Sequence, residues 1–424
     1  PDPRPARAFV RRVLSCGAVL VIEPDPAAEV AALSLVGVGG SLLESARTAG
    51  LSSAWSAVLT RGAGDLDAAS LAAEIEDRAG SLRAWRARNS LGLELRFPEA
   101  AFGEGLDLLG EILLRPTFPQ DELDRALDDL DEAREGLLHD DPGGLAWTLA
   151  WEALYPGHPW GRSALGTERS IRRITRAGLR AFHRRSLVGR NLVFGVAGAV
   201  EPDEVVARLE RVLRRLPAGQ PVPASPPTVA EAFVRRRRRR SAREQAHLVM
   251  AFPAVGHGDP RAPAQRLLEG VLGGQSGRLF LRVREERGLA YDVSASASEG
   301  LGGGTLLVSA AVDARRRAVA WGAIDEALAE LRDQPLGPEE LERVKARVVD
   351  GAVIGMQRAS DRAGHLAAAE RYGPGAERWR SHLERPREVD AAQLQALARE
   401  LLRPDRRVEV EVVPERARAG RREA

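Results

Sequence analysis

The sequence predicts an α+β protein of two homologous domains, each an antiparallel sheet with helices packed on one face. Three observations predict it: strand-like alternation near both ends, long stretches of helical period between the strands, and a Pro-rich break at mid-chain after which the order of elements begins again. The 424 residues also exceed the roughly 250 to 300 at which a single hydrophobic core stops growing.

Taken in order, an apolar strand over residues 32–38 leads through a loop to a helix around Leu51 to Leu59. Leu93, Leu95 and Phe97 then point one way while Glu94 and Arg96 point the other, the period of a strand with one buried face. From Phe102 to Leu114, Leu106, Leu109, Ile112 and Leu113 fall at helical spacing. An apolar strand at Asn191 to Ala197 is followed by a helix from about Pro202 to Leu216. Pro217, Pro221, Pro223, Pro226 and Pro227 tolerate neither a helix nor a central strand, so residues 217–234 are read as a linker between domains at 1–216 and 235–424. Past it, a strand at His247 to Pro253 leads to a helix at Arg266 to Leu272, about half a chain after its first occurrence. Residues 316–332 repeat the helical spacing with Val319, Ile324, Leu328 and Leu331, and Val408, Val410 and Val412 alternate with Arg407, Glu409 and Glu411, as in a sheet covered on one side.

Composition excludes several classes. The chain is 44% hydrophobic and 29% charged, and no apolar run approaches the ~20 residues that span a bilayer, so no membrane span is expected. Net charge is only +2, too small a whole-molecule field to indicate nucleic acid. Lys345 is the single lysine, and the arginine bias reads as genomic composition. Cys16 is alone, so no internal disulfide can form. The sequence starts at Pro1 with no charged-then-apolar leader, compatible with a removed export signal; a bacterial-type protein of the periplasm or the cytoplasm is expected.

Candidate chemistry is sparse. The seven histidines include no pair three to five residues apart, so no helix carries two imidazoles flanking a carboxylate as a zinc hydrolase requires. Ser276, within Gly273-Gly274-Gln275-Ser276-Gly277, lacks the preceding strand of a nucleophile elbow, and the Gly-rich run lacks the Lys of a phosphate loop. Nothing near Cys16 lowers a thiol pKa. Arg235 to Arg240 form the most conspicuous charge run, read as solvated residues leading into the apolar strand that follows; phosphate or acidic-peptide binding is the sharper alternative. Trp55, at helical spacing from Leu51 and Leu59, reads as core or interface.

The order of segments resembles the pitrilysin family, in particular the small-subunit branch that includes the mitochondrial processing peptidase. The stretch Gly50-Leu51-Ser52-Ser53-Ala54-Trp55-Ser56-Ala57-Val58-Leu59 sits where that family carries a helix bearing His-x-x-Glu-His. The resemblance puts the first zinc ligand on Ser53, the general base on Ser56 and the second ligand on Ala57. The third ligand, a Glu, falls at or next to Arg134, a placement fixed by Asp141-Pro142 and by Tyr155-Pro156-Gly157-His158-Pro159-Trp160-Gly161-Arg162; Glu135 is adjacent. Further on, Leu272-Gly273-Gly274 through Gly277-Arg278-Leu279-Phe280, then Arg284-Glu285-Glu286-Arg287-Gly288-Leu289-Ala290-Tyr291, looks like the motif of the family's C-terminal domain, in which an Arg and a Tyr seven residues later reach the active site. Here these are Arg284 and Tyr291, with Gly288 placed to cap a helix in the left-handed conformation.

The resemblance spans about Val13 to Val413 and implies a degenerate zinc helix beside a retained Arg/Tyr pair. It therefore implies a metal-free subunit with no cofactor of its own and no autonomous activity, in a heterodimeric zinc metalloendopeptidase. The zinc is expected in a homologous partner chain, the substrate is an unfolded peptide, and Arg284 and Tyr291 would hold its carbonyl and the oxyanion formed during hydrolysis. A catalytically inactive scaffold is the alternative, and a homodimer stays open.

Overall fold

The computed structural model describes residues 9–415. Its strands, in chain order, are β1 (Val10–Val13), β2 (Val19–Pro24), β3 (Val30–Val38), β4 (Ser81–Arg86), β5 (Ser90–Pro98), β6 (Leu192–Gly198), β7 (Phe233–Ser241), β8 (Gln245–Ala254), β9 (Ala290–Gly300), β10 (Gly303–Asp313) and β11 (Arg406–Pro414). They form a six-stranded sheet of order β1-β2-β6-β3-β5-β4 and a five-stranded sheet of order β7-β11-β8-β10-β9.

Set aside β1, and the two sheets have one topology. In each, the first strand of the repeat lies beside the last, the last beside the second, the second beside the fourth, and the fourth beside the third. Strand order thus confirms the repeat that the faint sequence similarity suggests. Each sheet also contains one parallel pair, β2 with β6 and β7 with β11, where alternation alone predicts antiparallel pairing. These pairs join the first and last strands of a repeat through a long crossover, which frees their relative direction from hairpin geometry.

By packing, the chain forms two compact units. Of the described residues, one unit comprises those up to Asp131, Ser163–Ser225 and Asp350–Glu384; the other comprises Glu132–Arg162, Pro226–Val349 and those from Arg385 on. The segments 132–162 and 350–384 each pack with the opposite repeat, an exchange that hydrophobic period cannot reveal because period reports a buried face and not its partner.

In the first unit, Leu20, Ile22, Leu33, Leu35 and Leu93 form one core with the helices Leu51–Val58, Glu99–Leu114, Arg176–Ser186 and Pro202–Leu213. A helix also covers the second face of each sheet. In the first unit this is Ala359–Tyr372, whose Ala363, Leu366 and Ala367 pack on Val21, Ala32, Val36 and Val193. Small residues set the approach: a Cβ on Gly195 would collide with the Ala363 carbonyl and lie 2.8 Å from the Ala367 amide nitrogen. Backbone cannot rotate away, so Gly195→Ala is expected to destabilise by about 1 to 3 kcal/mol, as overpacking does, read as a lower urea midpoint.

In the second unit, Leu248, Met250, Phe252, Leu306 and Val308 pack with the helices Ala262–Leu272, Arg317–Asp333 and Ala391–Leu401. Val408, Val410 and Val412 instead meet Leu145 and Leu149 of the helix Pro142–Leu154. The opposite face of β11 is polar yet covered: Arg407 pairs with Asp325, and Trp321 Nε1 donates to Glu411 at 2.9 Å, both partners lying on the helix Arg317–Asp333. The alternation of β11 therefore marks a change of partner chemistry as well as a change of face.

Candidate functional site

The helix Leu51–Val58 begins after Gly50, whose φ of +92° is open to glycine and strained for other residues. Its first amides are capped from a distance. The buried Glu44 carboxylate accepts from Ser52 N at 2.6 Å and Gly50 N at 3.2 Å, filling donors that a helix N-terminus leaves orphaned. Burial raises the Glu44 pKa, against the pull of those amides.

One face of the helix is core. Trp55 is fully buried, with its ring centroid 5.7 Å from that of Phe182. Its Nε1 donates to His183 Nδ1 at 3.3 Å, which leaves the His183 proton on Nε2, donated to the Leu113 carbonyl at 2.9 Å. An indole N–H can only donate, so this tautomer is forced. Burial accordingly pulls the His183 pKa down from 6.5 to about 4. A folded pKa below the unfolded one means that this contribution is complete above about pH 6.5 and is lost as pH falls towards 4. Stability is expected to drop on the order of 3 kcal/mol across that window, and His183→Gln should flatten this part of a urea-midpoint profile against pH.

The opposite face carries Ser53, Ser56 and Ala57, three positions brought together by their i, i+3, i+4 spacing and at least partly open to solvent. Neither hydroxyl is a free donor set: Ser53 Oγ donates to the Ala164 carbonyl at 2.6 Å and Ser56 Oγ to the Ser53 carbonyl at 2.9 Å. Ala57 offers a methyl. Zinc takes imidazole, thiolate or carboxylate, so these three positions do not fit the metal, whatever occupies them in relatives. Arg134 lies on the helix Gln120–His139, mostly shielded, its guanidinium paired with the Glu135 carboxylate. A cation at that position adds nothing to a metal site. Among the described residues no group of three His, Cys, Asp or Glu is placed to hold a metal ion.

Arg284 and Tyr291 are brought together in the second unit. Arg284 sits on a turn of π-helix, Phe280–Glu286, and Tyr291 near the start of β9, the outermost strand of its sheet. Between them Gly288, at φ +55°, donates its amide to the Arg284 carbonyl at 2.9 Å, and the Leu289 amide returns to Val283 at 2.9 Å. Leu279, Val283 and Leu289 are buried in the core and pin the segment from below. Arg316 pins it from the side, its guanidinium donating to the Gly288 and Arg287 carbonyls at 2.9 and 3.2 Å.

What the anchored turn exposes is a guanidinium and a phenol. The Arg284 side chain is 43% exposed and Tyr291 76% exposed. Arg284 Cζ stands 4.8 Å from the Phe280 ring centroid and 5.9 Å from that of Tyr291, so the two donors share one patch. The nearest acid to Arg284, Glu285, is at 3.8 Å, a contact of little strength at the surface. Both groups therefore remain able to donate to an incoming acceptor. π-turns occur often at functional sites, because they shift a side chain out of helical register.

The other sequence candidates are structural. Cys16 is buried and its thiol pKa is raised by that burial. Ser276 Oγ is paired with the Arg347 guanidinium. The sequence reading missed Glu44, His183 and Arg316, since each acts on a residue distant in sequence, and no local period or spacing marks such a partner.

The two units thus share one sheet topology, with a helix that offers no metal donors in the first and an exposed Arg/Tyr turn in the second. Comparison with known proteins gives the class. The family model "Insulinase (Peptidase family M16)" matches residues 19–141, and "Peptidase M16 inactive domain" matches residues 173–348. An uncharacterised zinc protease of Mycobacterium leprae is 29% identical over 407 residues, covering 92% of this chain and 89% of its own. The crystal structure of a peptidase M16 inactive domain from Pseudomonas fluorescens superposes with a TM-score of 0.89 at 24% identity, over 97% of this chain and 98% of that one. A protease from Helicobacter pylori superposes at 0.87 with 16% identity, over 96% and 100%. The chain belongs to peptidase family M16, the pitrilysin family. No helix among the described residues is long and apolar enough to cross a membrane.

Proposed function

We propose that this chain is the metal-free subunit of a two-chain zinc peptidase, and that Arg284 and Tyr291 act on peptide bound in a site whose zinc is held by a homologous partner. One observation carries the reading: an exposed guanidinium and phenol are held side by side on a turn fixed by three buried side chains and the Arg316 clamp, while Ser53, Ser56 and Ala57 supply no metal donors. A turn kept so rigid with its polar groups outward suits recognition of an acceptor more than packing.

In this role the substrate is an unfolded peptide. Its main chain would add to an open sheet edge through backbone hydrogen bonds, which demand little of its sequence. Tyr291 OH and the Arg284 guanidinium would donate to the carbonyl under attack and to the oxyanion that develops on it. Both donors are in place before the reaction, so no reorganisation is needed as charge appears.

Co-purification with a homologue carrying an intact His-x-x-Glu-His, followed by assay on an unstructured peptide, tests the pairing. The mixture is expected to cleave while this chain alone does not. If the two chains form no complex, or if the zinc-bearing chain alone turns over as fast as the mixture, this chain is a scaffold without a part in proteolysis.

A further inference from the structure

We infer that the open edge of β7 is a docking strand for an extended acidic polypeptide segment, with its carboxylates at alternate positions. The sequence places the arginine run ahead of the first strand of the second repeat; the structure makes the run itself a strand, outermost in its sheet and paired on one side only, with β11.

The ladder fixes which groups face outward. Phe233 N donates to the Asp405 carbonyl and Ser241 O accepts from the Glu415 amide, so in this parallel pair the backbone groups of the odd-numbered residues turn towards β11. Those of Val234, Arg236, Arg238 and Arg240 turn outward. Among the described residues, the Arg236 and Arg238 carbonyls accept from the neighbouring guanidiniums of Arg237 and Arg239, at 3.4 and 3.5 Å, and from no main chain. Among the described residues this row of donors and acceptors has no main-chain partner, and it is thus available to another main chain.

The charges are sorted by face. On the even-numbered face, Arg236 is paired with Glu409 at 2.7 Å and Arg238 with Glu411 at 3.5 Å, both supplied by β11. On the odd-numbered face, Arg235 turns inward to the Ala153 carbonyl at 2.7 Å. Arg237 and Arg239 are exposed there, two residues apart, with no acidic partner among the described residues, and Arg240 is likewise without one on the other face. A strand laid along β7 with acids at every second position would set them against Arg237 and Arg239. The same charges keep a second β7 away, since like charges on a bare edge oppose edge-to-edge pairing. Nucleic acid is the weaker fit: it would use the guanidiniums but none of the outward N–H and C=O groups, and no exposed aromatic ring lies among Arg236–Arg240 for base stacking.

Fluorescence anisotropy on the full chain tests this, using a labelled peptide of alternating Glu and Val. Controls are a block arrangement of the same residues, the alternating peptide N-methylated at every second amide, and an oligothymidylate of equal charge. The alternating peptide is expected to bind in a salt-sensitive manner, about tenfold more tightly than the block peptide, and to lose about tenfold in affinity with Arg237→Glu/Arg239→Glu. N-methylation on the edge-facing side should abolish binding. Both arginines are surface residues, and an unchanged thermal midpoint establishes that the variant folds. No binding by the alternating peptide, equal binding by the block or N-methylated peptide, or tighter binding by the oligothymidylate overturns the inference.

Discussion

Arg284→Ala combined with Tyr291→Phe is expected to lower turnover by the reconstituted two-chain peptidase about 10² to 10³-fold, the cost of removing donors from a developing oxyanion. Folding should be nearly untouched, because both side chains are exposed and exposed substitutions away from caps and cores change stability by only about 0.5 kcal/mol. The two effects therefore separate: the catalytic constant falls while the thermal midpoint holds. The single variants divide the roles. Tyr291→Phe removes one hydroxyl and retains the ring that Arg284 approaches at 5.9 Å, so it should act on kcat more than on KM. Arg284→Lys keeps the charge but loses the planar fork, and full activity from it would assign Arg284 a purely electrostatic part.

The second large effect is on stability. Trp55→Ala should destabilise by about 3 to 5 kcal/mol, as deletion of a fully buried aromatic does, whereas Ala57→Ser on the opposite side of the same helix should be nearly silent. Trp55 has no exposed surface and holds the only tautomer of His183 compatible with both hydrogen bonds. Removing it opens a cavity and strands a buried imidazole acceptor. The contrast separates the two faces of this helix: the inner one packs around Trp55, while the outer one carries Ser53, Ser56 and Ala57 and supplies no metal donor. Chemical denaturation of the two variants reads both values directly.

Much of this was legible in the sequence, for identifiable reasons. Strand period at Leu93, Leu95 and Phe97 and at Val408, Val410 and Val412 survives because each strand has one face in a core. Gly288 was legible because few other residues sit comfortably at φ +55°. The repeat was faintly legible in element order and is plain in strand order. What could not be read were partners far apart in sequence: the parallel pairing of β7 with β11, the helix Ala359–Tyr372 on the first sheet, and Arg316 clamping the Arg287–Gly288 turn. Gly195, small without any turn to require it, is the residue on the first sheet that the backbone of the helix Ala359–Tyr372 approaches. The arginine run misled for a related reason. Six consecutive charges have no apolar period, yet β11 supplies Glu409 and Glu411 to one face, and a strand forms without burying that face in a core.

Zinc analysis of the purified chain tests the central claim most directly. Ser53, Ser56 and Ala57 present hydroxyls and a methyl, so the chain alone, loaded with excess zinc and desalted, should retain far less than one ion per molecule and should leave an unstructured peptide intact. One tightly held zinc per chain, together with proteolysis that a chelator abolishes, would contradict the account.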